Sequence, residues 1–218
     1  MKSNESLQKD VQDAIKYEPL LHAAEIGVTA FEGIVTLTGI VNTYAKKIEA
    51  EEATKRVSGV KAIVENIKVH FGQEFRKTDN EIAADVLNLL KWNWEITSDL
   101  VKVKVEDGWV TLTGELRWNF QKVAAQKAIG SLLFIKGLTN NISIKTDVKD
   151  LIEQKDIERA IKNNWAIESR NINVSVHANN VKLKGNVNSI FEKDEAGRLA
   201  WNAKGVSTVE NDLVVVYY

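Results

Sequence analysis

Three histidines, His22, His70 and His177, are the imidazoles of this chain, and cysteine is absent. A metal centre or a nucleophile–base pair needs such groups at matched spacing. None of the three has a second histidine near it, so each is expected at a surface or a rim. The lack of cysteine removes disulfides, thiolate metal sites and cysteine catalysis. Carboxylates cluster at Glu49, Glu51 and Glu52 and again at Glu192, Asp194 and Glu195. Both clusters fall early on helical stretches, where a solvated acidic face complements the helix dipole. A cation site built from them is the weaker reading. Gly33 and Gly39, like Gly108 and Gly114, bracket a strand, with no lysine in the place a phosphate loop would put it. They are turn glycines. The expectation is no catalytic residue, no metal, no cofactor, and hence no enzyme.

What remains is an aromatic and basic set: Lys102, Lys104, Trp109, Thr111 and Trp118. Tryptophan beside lysine suits a lipid headgroup region or an anionic ligand. These residues share a surface only if two strands lie side by side. Val101-Lys-Val-Lys-Val105 alternates, and so does Trp109-Val-Thr-Leu-Thr113. Alternation turns Val103, Val105, Val110 and Leu112 inward and sends Lys102, Lys104, Trp109 and Thr111 to the other face. Trp118 and Phe120 open the next helix and extend one surface or the other. A second reading packs Trp109 against an adjacent repeat.

That pair of strands belongs to a unit present three times. Gly33-Ile-Val-Thr-Leu-Thr-Gly39 returns as Gly108-Trp-Val-Thr-Leu-Thr-Gly114 and as Asn179-Asn-Val-Lys-Leu-Lys-Gly185, at offsets of 75 (39 to 114) and 71 (114 to 185). The same offsets align Leu7, Val11, Ala14 and Ile15 with Ile82, Val86, Leu89 and Leu90, and with Glu153, Ile157, Ala160 and Ile161. A spacing of i, i+4, i+7, i+8 is one face of a helix. Two alternating strands follow, joined by turns expected at Glu32-Gly33, Asp107-Gly108 and Asn179-Asn180, because Gly and Asn tolerate positive φ. An Ala-rich helix comes next, and a third strand ends the unit at Asn66–Val69, Asn141–Ile144 and Asp212–Val215. The fold class is therefore α+β: three tandem repeats, each helix-strand-strand-helix-strand, with two helices on one face of a three-stranded sheet. The repeats are expected at 1–75, 78–147 and 149–218. Trp94 and Trp165, with Pro19 as their counterpart, are expected to plug the core end after the first helix, with Trp92 partly exposed.

The unit resembles the BON domain (bacterial OsmY and nodulation). That family shows a hydrophobic first strand, a Gly turn, V-x-L-x-G, an Ala-rich helix and G-V-x-x-V-x-N. Here V-T-L-T-G occupies 35–39 and 110–114, and V-K-L-K-G occupies 181–185. Gly205-Val-Ser-Thr-Val-Glu-Asn211 matches the last motif in full. Gly59-Val60 and Ile63 match in part, with Glu65 where Asn is expected, and Phe134 replaces the Gly of the second copy. Gly108-Trp109, Glu115-Leu-Arg-Trp118 and Ala200-Trp201 resemble a triple-BON, OsmY-like subgroup without a signal peptide. The resemblance implies a non-catalytic module that binds phospholipid or supports the envelope under osmotic stress.

Composition agrees with a folded protein that is no general polyanion binder. The 218 residues carry 29 Lys and Arg against 30 Asp and Glu, for a net charge of −1. Nucleic acid is not an expected partner, since backbone attraction is weak and the GXXG loop of a KH module is missing. Leu213–Tyr218 is far too short to span a bilayer, so no transmembrane segment is expected. The first ten residues lack the apolar core of a signal peptide, so the chain is expected in the cytoplasm, or in the periplasm where a leader has been removed. The expected partners are anionic phospholipid at a membrane surface, bound peripherally, or another protein. Only the middle copy combines aromatic and basic groups outward. Gly27, Thr29, Ile34 and Thr36 carry no charge, and Asn173, Ser175, Asn180 and Lys182 include no aromatic ring.

Overall fold

Apolar residues every three or four positions make the first helix of each repeat one-sided. The structure, a computed structural model, describes residues 2–21, 25–72, 77–145, 152–168 and 171–216. His22 lies outside them. The first repeat runs α1 (Asn4–Tyr17), β1 (Ile26–Phe31), β2 (Ile34–Val41), α2 (Tyr44–Lys55) and β3 (Ala62–Val69). The second runs α3 (Asp79–Trp92), β4 (Val101–Glu106), β5 (Trp109–Leu116), α4 (Asn119–Gly130) and β6 (Gly137–Ile144). The third runs α5 (Gln154–Asn163), β7 (Ile172–His177), β8 (Asn180–Val187), α6 (Ile190–Trp201) and β9 (Thr208–Val215). This is the expected α+β order, three times over.

Each sheet places its middle strand second in sequence, in the orders β1-β2-β3, β4-β5-β6 and β7-β8-β9. β4 pairs with β5 antiparallel, and β5 with β6 parallel; β7, β8 and β9 repeat that arrangement. A parallel pair needs a crossover, which α4 and α6 supply. The core of the middle repeat joins Ile82, Val86 and Leu90 of α3 and Ala125 and Ile129 of α4 to Val101, Val110, Leu112, Leu116 and Ile142. Both helices therefore cover one face. Alanine and glycine let the second helix sit close: Ala50, Ala53, Ala125, Ala196, Gly197 and Ala200 are all buried.

Two compact units divide the chain. One comprises Met1–Gly39, Glu49–Asn66 and Asp147–Tyr218, and the other Ile40–Ile48 and Ile67–Thr146. In the first, Gly59 N–H donates to Asn188 O at 3.1 Å, and Lys55 Nζ lies 3.5 Å from Asp194. In the second, Tyr44 joins the core of the middle repeat, and Phe71 packs edge-on against Phe134 at 5.8 Å. Phe134 holds φ 68 where its counterparts are Gly59 (φ 93) and Gly205 (φ 84). The left-handed backbone of the motif is kept even where its glycine is lost.

Two hairpins turn where expected, with Glu32 at φ 49 and Gly33 at 86, and Asp107 at 51 and Gly108 at 77. The third turn is Ala178-Asn179, one residue earlier than expected. Asn180 is already in β8, paired with His177, and Ala178 takes φ 53. The alternation of β8 outweighs the local preference for an Asn-Asn turn, because Val181 and Leu183 must face the core. In the first two repeats the first residue of the opening helix reaches back to the hairpin. Asp79 accepts from both Asp107 N–H and Gly108 N–H at 2.8 Å, and Asn4 Oδ1 accepts from Glu32 N–H at 2.9 Å. An Asp79→Ala variant should lose about 2 kcal/mol of middle-repeat stability, since bonds to a charged acceptor are the stronger kind. Amide exchange at Asp107 and Gly108 reads it; unchanged protection there would refute the assignment.

Candidate functional site

Strand register builds the open face of the middle repeat in rows. Trp109 stands between Glu106 and Gly137, Thr111 between Lys104 and Thr139, and Thr113 between Lys102 and Asn141. Lys102, Lys104, Trp109 and Thr113 are exposed and Thr111 is half-buried, on the face opposite the core residues Val110 and Leu112. Lys102, Lys104, Trp109 and Thr111 thus come together on one surface.

Trp109 lies down on that surface. Its indole Nε1–H donates to Thr139 Oγ1 at 2.9 Å, and a Cβ added at Gly137 would sit 2.4 Å from its ring. The ring covers the glycine of the neighbouring strand, a cross-strand pairing that hides backbone and leaves one ring face to solvent. Its exposure is 44 %. Trp118 does not join it. It sits half-buried at the start of α4, its N–H donating to Gln121 Oε1 at 3.2 Å, beyond the opposite end of β5. The strand rise alone separates the two by roughly 25 Å.

The face also carries Glu106 and Glu115, which the first two strands' alternation places there and which sequence reading passed over. Lys104 Nζ is 2.9 Å from Glu106, and Lys145 is 3.7 Å from Glu115. In the third repeat the outward lysines meet acids from β9: Lys182 bonds Glu210 and lies 3.0 Å from Asp212. These hydrogen bonds raise the Lys182 ammonium above its ordinary value and hold the Asp212 carboxyl below its own. Strand periodicity could have flagged Glu210 and Asp212 as outward, but their pairing needs the parallel register.

Three further lysines perform one structural task. Lys47, Lys122 and Lys193 send Nζ to the carbonyls of Ile67, Ile142 and Leu213, at 3.1, 2.7 and 2.7 Å. They recur at the repeat offsets, the signal that would have found them. Burial holds the Lys122 ammonium below its usual range. Asn140 and Asn211, at the motif asparagine, donate to the carbonyls of Lys122 and Lys193 and tie strand to helix from the other side.

Trp94 and Trp165 do not plug the core. They are 90 % and 96 % exposed, and Trp92 is 84 % exposed. The core end is filled two residues on, by Leu21, Ile96 and Ile167, each buried. Part of each acidic cluster is ion-paired: Lys55 lies 3.0 Å from both Glu51 and Glu52, and Arg198 lies 2.6 Å from Glu195. The Arg198 guanidinium and the Asn164 amide, both donating to it, hold the Glu195 carboxyl below the usual range. His70 and His177 are exposed. Among the described residues there is no group of three or more His, Asp or Glu placed to hold a metal. No helix of the described residues is long and apolar enough to cross a membrane. In a cavity of about 400 Å³ lined by His70, Phe71, Lys77, Asp79, Phe134 and Lys136, Asp79 is held by the hairpin amides and Lys77 by Asp85.

The class defined here is a tandem α+β repeat protein whose sheets each keep one face open. The BON domain profile matches residues 3–70, 78–146 and 149–217, and the chain belongs to the BON domain family. No curated protein matches it. Among solved structures it is similar to the C-terminal domain of CdsD, a structural protein of the type III secretion system of Chlamydia trachomatis, at 17 % identity and a TM-score of 0.27, covering 99 % of this chain and all of that one. A second CdsD structure from the same organism gives 17 % identity and 0.27, covering 95 % of this chain and 91 % of the other.

Proposed function

We propose that this protein is a non-catalytic binding module of the envelope stress response that touches anionic phospholipid peripherally, with the open sheet face of the middle repeat as a contact surface. The observation that carries this reading is the half-exposed indole of Trp109 sharing one face with Lys102 and Lys104. Family membership points the same way. An indole partitions into the headgroup layer, and each lysine near an anionic surface adds roughly 1 kcal/mol. Glu106 and Glu115 offset part of that, so binding is weak, reversible and salt-sensitive.

The test is co-sedimentation with phosphatidylglycerol and phosphatidylcholine vesicles. The parent should bind the anionic vesicles, and a Lys102→Ala/Lys104→Ala/Trp109→Ala variant should bind them at least about tenfold less. Equal binding by a folded variant, or none by the parent, would overturn the reading.

One observation favours a second reading, a structural protein acting through protein contacts. The open face of the first repeat exposes Phe31 (65 %), Ile34 (43 %) and Val64 (44 %). Such an apolar face suits a protein surface better than a charged headgroup layer.

A further inference from the structure

The turn that ends the first helix of each repeat has a buried foot and a bare tip. In the middle repeat, Ile96 N–H donates to Asn93 O at 3.1 Å, and Glu95 N–H donates to Asn93 Oδ1 at 3.0 Å. In the third, Ile167 N–H donates to Asn164 O at 3.3 Å and Ala166 N–H to Asn164 Oδ1 at 2.9 Å. In the first, Leu21 N–H donates to Glu18 O at 3.0 Å. Side-chain and main-chain bonds of this sort fix a turn, and the buried Leu21, Ile96 and Ile167 root it.

The tips repeat a chemistry without repeating a residue. Each helix ends with an exposed lysine, Lys16, Lys91 or Lys162. Beside it stand Tyr17 and Leu20, then Trp92 and Trp94, then Trp165, all among the most exposed apolar side chains of the chain. Leu87, one helical turn before Lys91, is 54 % exposed as well. Burying nothing, these rings add nothing to the core.

We infer that the Asn93 turn, with Trp92 and Trp94 at its tip and Lys91 at its base, is an insertion point for the headgroup layer of a bilayer. This rests on the membrane reading above and adds a second, protruding contact to it. A lipid surface is favoured over a protein pocket by what the three turns share. A cation next to an amphipathic or apolar side chain is common to all, whereas tyrosine, leucine and tryptophan would each need a differently shaped pocket. Interfaces accept indoles of any orientation whose N–H stays at headgroup level, and the lysine stem reaches the phosphates. Glu95, the acid of this turn, is partly buried while the rings project.

The full chain and two variants, Trp92→Ala/Trp94→Ala and Lys102→Ala/Lys104→Ala/Trp109→Ala, are compared on phosphatidylglycerol-containing vesicles. The exposed positions predict unchanged circular dichroism for the turn variant. Its binding should fall at least about tenfold. Brominated lipid should quench parent fluorescence strongly and that of Trp92→Phe/Trp94→Phe much less. A turn variant that binds like the parent while the sheet-face variant does not would overturn this inference and leave the sheet-face reading standing. Loss in the turn variant alone would do the reverse. Absence of parental binding would overturn both, and binding lost only toward a protein partner would assign the turn to protein contact instead.

Discussion

A Gly114→Ala chain should lose about 4 kcal/mol from its middle repeat and melt that repeat about 15 °C or more below the parent. The glycine holds φ 140, and a Cβ there would meet Leu100 O at 2.1 Å and Val101 Cα at 3.3 Å. Both atoms belong to backbone that the register fixes, since Val101 faces Gly114 across the pair. No rotamer relieves the contact; only opening of β4 does. The other copies extend the test. A Cβ at Gly39 would lie 2.1 Å from Glu25 O, and one at Gly185 would lie 1.8 Å from Asn171 O. Gly185→Ala should therefore cost at least as much as Gly114→Ala. Calorimetry of the three variants checks the order, and a loss below about 1 kcal/mol would contradict the geometry. The close approach of carbonyl to α-carbon is what the last residue of V-x-L-x-G provides.

Leu112→Ala should cost about 3 to 4 kcal/mol, whereas Thr113→Ala, its neighbour, should change stability by no more than about 0.5. Leu112 is fully buried on β5, the middle strand of its sheet, within the core that α3 and α4 close. Removing its methyl groups leaves a cavity that partners on several elements cannot all refill. Thr113 points to the open face and is exposed. Urea titration of the two variants separates them, and comparable losses would mean that the sheet buries both faces.

Much of the fold was legible because it rests on short periods. Helical spacing placed Leu7, Val11 and Ile15 and their counterparts Ile82, Val86 and Leu90 in the core. Alternation placed Val110 and Leu112 inward and Trp109 outward. The Glu32-Gly33 and Asp107-Gly108 turns followed from residues that accept positive φ. These preferences act within a few residues, so a chain of letters contains them.

The candidate surface was legible only in outline. Which side chains share a face depends on alternation, but which ones neutralise each other depends on register. Lys104 meets Glu106 two residues on along the same strand, but Lys182 meets Glu210 and Asp212 across a parallel pairing that the whole sheet sets. Trp109 was readable as outward, yet its resting place over Gly137 follows from the parallel strand that begins 28 residues later. The turn tryptophans show the limit most clearly. Hydrophobicity alone sends Trp94 and Trp165 inward, but each turn has one position that reaches the core, and Ile96 and Ile167 hold it. By itself the sequence determined the repeated unit, its elements and their inner faces, through contacts between near neighbours. Tertiary structure alone decided the cross-strand pairing of Lys182 with Glu210 and Asp212, the posture of Trp109 and the exposure of the turns, because those depend on atoms that only the folded chain brings within reach.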